Sequence, residues 1–190
     1  KLIQERLVPG ADKDAVDRRI WDLFGEEWAV MFTDLAGFSR NAAEFGIVHF
    51  LQIIYESQRI FTPCIERCGG ILLKTEGDSL LVIFRTARQA IECAVAMQLA
   101  ARAYNVDRAA NEQVLLCVGI GCGRMLRIGD QDVFGAEVNA ASKLGEDTAR
   151  EWEILVTDSV RAAVAPDFAF EPIERIPPGA KAAFRLRYQA

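Results

Sequence analysis

The sequence predicts an α+β domain on a ferredoxin-like plan, a mostly antiparallel central sheet flanked by helices that are expected on one face. Three observations predict it. Short apolar runs of strand length recur along the chain, at 28–32, 71–73, 80–84, 114–121 and 154–156. Stretches with a 3.6-residue apolar period lie between them. Glu76-Gly77-Asp78 separates two of the runs and reads as a hairpin turn.

The elements follow in order. The first ten residues have no clear period. Asp12 to Phe24 reads as a short helix, with Val16, Ile20, Trp21 and Phe24 on one side and Gly25 ending it. Trp28 to Phe32 is a buried strand, and 34–39 form a turn. From Asn41 to about Cys68 the pattern is helical through Ile47, Phe50, Leu51, Ile54 and Phe61, and Pro63 is expected to kink or break it. After the hairpin, Thr86 is the expected N-cap of a helix whose apolar face is Ala87, Ala90, Ile91, Ala94, Val95 and Leu99. Val114 to Gly121 is a strand with alternating Gly119, Gly121 and Gly123, and Met125–Ile128 is read as a return strand. Gly135 to Ala149 is a helix and Ile154–Val156 a strand. Asp158 caps a short helix to Val164, and strands at 168–170 and 184–188 close the chain.

The composition bounds the function. The 190 residues are 51% hydrophobic and 26% charged, which suits one globular domain with a sizeable core and excludes a disordered chain. Twenty-two Lys+Arg against 27 Asp+Glu give a net charge of −5. A dedicated nucleic-acid or anionic-membrane binder would carry a basic excess instead. No apolar stretch is long enough to span a bilayer, and no signal peptide is seen. The chain begins at Lys1 rather than Met, as a segment of a longer protein would, and the domain is expected in the cytoplasm. Five cysteines with no C-x-x-C pair, and one histidine, give little material for a zinc site. They read as buried reduced thiols.

Three features can carry chemistry. Asp34 follows an apolar strand and Asp78 lies in the hairpin turn, so adjacent strands could bring the two carboxylates together. Such a pair needs a cation to stay ionised, and Mg²⁺ suits one or two carboxylates plus phosphate oxygens. Two ordinary turn aspartates would look the same. Leu35 to Ser39 leads into a helix, where backbone N–H groups can meet an anion or simply form a turn. Asn139 and Lys143, four apart on one helix, could reach a phosphate or form a solvated face.

Taken together, these segments resemble the class III adenylate/guanylate cyclase catalytic domain family, from about Trp28 to Thr157. The carriers are Phe32-Thr-Asp-Leu-Ala-Gly-Phe38, Gly69-Gly-Ile-Leu-Leu-Lys-Thr-Glu-Gly-Asp78 and Asp132-Val-Phe-Gly-Ala-Glu-Val-Asn-Ala-Ala-Ser-Lys143, in that order. The resemblance implies a lead-in with a short helix at 1–26 and a cyclase catalytic domain at 27–190. It implies that Asp34, Asp78 and the Leu35 carbonyl hold two Mg²⁺ or Mn²⁺ ions. It places the β- and γ-phosphates on main-chain N–H groups around Gly37 and Phe38. Lys74 and Asp132 match the purine-reading positions, and a Lys/Asp pair implies adenine, since guanine would oppose that donor and acceptor pattern. Asn139 would orient the ribose and Lys143 would meet the α-phosphate. The implied enzyme is an adenylate cyclase making cyclic AMP and pyrophosphate from ATP, as a head-to-tail homodimer with sites in the interface, where Lys74, Asp132 and Asn139 of one subunit serve the aspartates of the other, and with no nucleic-acid or membrane partner.

The chain departs from the family's pattern in three places. Lys143 stands where the family usually has Arg. The stretch from Met125 to Asp132 is shorter than in many relatives. The family's late phosphate-contacting Lys has only Lys181 as its nearest match. The first of these departures supports a second reading, a catalytically weak or inactive cyclase-like nucleotide-binding regulatory or dimerisation module.

Overall fold

A computed structural model describes residues 1–37 and 45–189. Two helices lead in, α1 (Leu2–Arg6) and α2 (Lys13–Phe24), so the aperiodic first ten residues do contain a short helix. Asp12 caps α2 by accepting the Ala15 N–H at 3.0 Å. Strand β1 (Gly25–Leu35) is longer than its apolar run, because it pairs with the next central strand from Gly25↔Leu126 to Leu35↔Leu116. Helix α3 (Ile47–Arg67) runs through Pro63 rather than breaking there. Its buried Phe50, Ile53, Phe61, Cys64 and Ile65 pack continuously, and that burial outweighs the one hydrogen bond proline forfeits. The expected start of this helix at Asn41 lies outside the described residues.

The hairpin β2 (Ile71–Glu76) and β3 (Ser79–Phe84) turns at Gly77, whose φ of +59° favours glycine. Helix α4 (Ala87–Asn105) opens with the expected Thr86 cap, completed by Gln89 as a capping box. Its buried face holds the expected Ala87, Ala90, Ile91 and Ala94 and departs from expectation only toward the C-terminal end. Met97 and Ala101 are buried while Leu99 is exposed, because alanines all round this helix leave its periodicity nearly silent. Strand β4 (Leu116–Ile128) absorbs the expected return strand at Met125–Ile128. The actual return is β5 (Asp132–Phe134), paired Leu126↔Phe134 to Ile128↔Asp132. Helix α5 (Ala136–Asp147), strand β6 (Ile154–Thr157), helix α6 (Asp158–Val164) and strands β7 (Ala169–Pro172) and β8 (Ala183–Arg187) follow. The cap of α6 is Thr157, one residue before the one expected: its hydroxyl accepts the Val160 N–H.

The sheet order is β2-β3-β1-β4-β6-β8-β7, with β5 added to β4. Every pairing is antiparallel except β4 with β6. Helices α3, α4 and α6 cover one face over Met31, Val82, Phe84, Val118, Ile120 and Val156. Helix α5 covers the other, over Trp28, Val30, Ile83 and Met125, so the helices flank both faces rather than one. The alternating glycines explain this second layer. A Cβ at Gly119 would sit 2.2 Å from the Ala141 carbonyl oxygen and 2.3 Å from the Gly145 nitrogen. Only a bare backbone lets α5 lie so close to β4. All five cysteines are free thiols. No described helix is long and apolar enough to cross a membrane.

Candidate active site

The centre of the site follows from the β1–β3 pairing. Thr33 pairs with Leu80, and the buried Thr33 hydroxyl accepts the Leu80 N–H at 3.1 Å. This pins the end of β1 beside the β2–β3 turn, so Asp34 and Asp78 come within hydrogen-bonding reach of each other. Both are half-buried. Burial first, and then the Asp78 carboxylate, push Asp34 up to about 7. Asp78 is also raised, chiefly by burial. The Leu35 N–H works against both shifts, and the charge of Glu146 adds to them. Two carboxyl groups so placed hold a proton between them unless a cation takes its place.

The donor set is hard and all-oxygen, which fits Mg²⁺ or Mn²⁺ rather than a softer ion. Among the described residues no group of three Asp, Glu, His or Cys side chains closes around a metal. Main-chain oxygen, water or phosphate must therefore complete the coordination, as Mg²⁺ usually requires. Leu35 is buried with its main chain at the pair. Gly37, just beyond, is exposed with φ +81°. Phe38 lies outside the described residues.

A cleft opens on the α5 side of the hairpin, lined by Phe32, Lys74, Ser79, Leu80, Asp132 and Glu146. Lys74 on β2 and Asp132 on β5 come together here, with Nζ 3.8 Å from Oδ2. Glu76 also pairs with Lys74, and this contact is the main cause of that lysine's raised pKa. The sequence reading missed Glu76 and Glu146. Glu76 was findable, because residues two apart on a strand share a side. Glu146 was not, because only the docking of α5 carries it to the cleft.

Asn139 and Lys143 do share one exposed face of α5. Among the described residues neither makes a hydrogen bond or ion pair with Asp34 or Asp78. Lys143 instead bonds Asp147 at 2.6 Å, which raises its pKa, and Arg175 donates to the Asp147 carbonyl at 2.9 Å. Lys181 is exposed and sits over the start of α6, where its N–H donates to Asp158 Oδ1 at 2.9 Å. One chain thus assembles the two aspartates and the Lys74–Asp132 pair, and among the described residues no hydrogen bond or ion pair joins Asn139, Lys143 or Lys181 to them.

An acidic pair where β1 meets a hairpin, with a polar cleft beside it, suits a hard divalent cation and an anionic ligand. Residues 25–183 match the family described as Adenylate and Guanylate cyclase catalytic domain, and the chain belongs to that family. It is 32% identical over 141 residues to an adenylate cyclase of Streptomyces coelicolor, covering 73% of this chain and 32% of that one. It is 28% identical over 178 residues to an adenylate cyclase of Mycobacterium tuberculosis, covering 86% of this chain and 39% of that one. The chain therefore spans about a third of the length of these curated relatives. Among solved structures it resembles the adenylate/guanylate cyclase/hydrolase from Silicibacter pomeroyi, at 26% identity and TM-score 0.72, covering 87% of this chain and 98% of that one.

Proposed function

We propose that this domain is an adenylate cyclase that converts ATP to cyclic AMP and pyrophosphate. The observation that carries the reading is the half-buried Asp34–Asp78 pair, formed where the end of β1 meets the β2–β3 hairpin, which also carries Lys74 beside Asp132. In the reaction the ribose 3′-oxygen bonds to the α-phosphorus. The bond from that phosphorus to the bridging oxygen breaks, and pyrophosphate leaves. Asp34, Asp78 and the Leu35 carbonyl would hold two Mg²⁺ or Mn²⁺ ions, which when bound lower the pKa of the 3′-hydroxyl and neutralise charge on the phosphates. Gly37 and Phe38 would meet the β- and γ-phosphates through main-chain N–H groups.

Adenine selection rests on chemistry. The Lys74 ammonium donates to ring N1 and the Asp132 carboxylate accepts from the 6-amino group, and guanine presents the opposite pattern. The adenylate cyclases among the sequence relatives support the same choice. Asn139 would orient the ribose, Lys143 the α-phosphate, and Lys181 would lend a further cation.

We read the working form as a homodimer with sites in the interface. Asn139 and Lys143 are exposed and, among the described residues, make no hydrogen bond or ion pair with the aspartates of their own chain, as residues that serve a partner's site would be. Exposed Ile71 and Leu72 lie on the strand that carries Lys74, Phe134 on the strand that carries Asp132, and Ile128 opposite Asp132 on β4; together they offer apolar area for such a contact. Residues 1–26 form the lead-in and 27–190 the catalytic unit, although β1 already starts at Gly25. Five free thiols suit the reducing cytoplasm.

A second reading, a weak or inactive nucleotide-binding module, is favoured by one contact: Lys143 is held by Asp147. Cyclic nucleotide formation from ATP and from GTP, with Mg²⁺ and with Mn²⁺, separates the readings. Cyclic AMP well above cyclic GTP-derived product supports the proposal. Nucleotide binding without cyclic product supports the second reading.

A further inference from the structure

Helix α5 begins without a side-chain cap, because its N-cap residue is Gly135. Glu137, in its first turn, anchors it instead. Glu137 Oε2 accepts the Cys122 N–H at 3.0 Å and the Thr157 hydroxyl at 2.7 Å, and Oε1 accepts the Ser159 hydroxyl at 2.9 Å. The three donors belong to β4, β6 and α6, so one carboxylate ties α5 to three other elements. None of the donors is a charged side chain. The carboxylate also stands at the positive end of the helix dipole.

We infer that Glu137 is a positioning residue that sets the rotation of α5 about its axis, and through it the places of Asn139 and Lys143. The inference rests on the cyclase reading above. The glycine contacts of α5 allow close approach but supply no directional bond that would stop the helix from rolling. Glu137 supplies three. A roll of about 20° on a helix of roughly 5–6 Å radius moves its outer face by about 2 Å. A displacement of about 1 Å at reacting groups can cost on the order of 10²-fold in rate.

The test measures kcat and KM for ATP in the native chain, Glu137→Ala, Glu137→Gln, Asn139→Ala and the Glu137→Ala/Asn139→Ala double variant, with thermal unfolding to set the folded fraction of each. Glu137→Ala should lower kcat per folded molecule about 10-fold or more, with KM changing less than about 3-fold. Glu137→Gln should recover most of it, since its amide oxygen still accepts from Cys122 and Thr157 and its NH₂ can donate to Ser159. The double variant should lose clearly less than the product of the two single losses, because one of the two groups that Glu137 positions is already gone. A residue that merely supports the fold would lower the folded fraction, and its loss would multiply with that of Asn139→Ala. Multiplying losses, or an unchanged kcat, would overturn the inference. If Glu137→Ala does not fold, Ser159→Ala removes one donor and should lower kcat about 2–5-fold; no change there overturns it equally. Absence of turnover in the native chain would overturn the cyclase reading, and this inference with it. That outcome is distinct from the others, which all compare variants against an active native domain.

Discussion

Asp34 carries a carboxyl that is out of place in a metal-free protein. Its native pKa stands near 7 and its unfolded value near 3.8, so the folded state holds the proton more tightly. Stability of the metal-free domain should therefore fall as pH rises from about 4 to about 7, and stay lowered above that. Asp34→Asn removes the charge, so its Tm should exceed the native one at pH 8 and match it near pH 4. Adding Mn²⁺ with a non-cyclisable ATP analogue should then raise the native Tm and leave the variant's unchanged. Thermal unfolding at the two pH values, with and without ligand, measures both effects. At Lys143 the expectation concerns rate. A cation that acts on charge developing in the transition state changes kcat more than KM. Lys143→Ala should lower kcat by roughly 10²-fold with KM for ATP nearly unchanged. Lys143→Arg should match or exceed the native rate, because guanidinium donates in two parallel bonds. Steady-state kinetics that find Lys143→Ala as active as the native domain would leave this lysine as the surface partner of Asp147.

Among the elements, α5 is the one whose seating matters most, and its seating depends on glycines facing glycine. Gly119→Ala would drive a methyl group into the Ala141 carbonyl and the Gly145 backbone, neither of which can turn aside. The helix would have to lift, at about 1–3 kcal/mol. Denaturant unfolding should show that loss, together with reduced turnover. A Gly119→Ala domain as stable as the native one would mean that α5 packs more loosely than described. The alternation of Gly119, Gly121 and Gly123 was visible in the sequence, but its purpose was not, since a glycine records a close approach without naming what approaches. Elements with local signals were legible: the Gly77 turn, the Thr86 cap and the apolar run of β1. Those decided by distant partners were not. β4 runs on past Gly121 because β1 pairs with it along its whole length. α3 passes Pro63 because its packed face holds on both sides. The site divides in the same way. The Asp34–Asp78 pair follows from strand order and turn position, whereas Lys74 and Asp132 were legible only through the family resemblance. Glu146 and the Glu137 tripod depend on where side chains meet after folding.

At the scale of the whole molecule, the residues that the proposed reaction would use stand in two places on each chain. The aspartates and the Lys74–Asp132 cleft lie on the sheet, and Asn139 and Lys143 face outward on α5. A two-fold dimer can bring one chain's outward face to the other chain's aspartates, and it does so twice, because an isologous contact repeats itself. This split-site account is tested most directly by mixing two inactive variants, Asp34→Ala and Asn139→Ala, and measuring cyclic AMP from ATP with Mn²⁺. In the mixed dimer one site carries both lesions and the other carries none. Random pairing of equal amounts should therefore restore about a quarter of the native activity. No recovery, with heterodimers verified in the same sample, would contradict the account and place each complete site within a single chain.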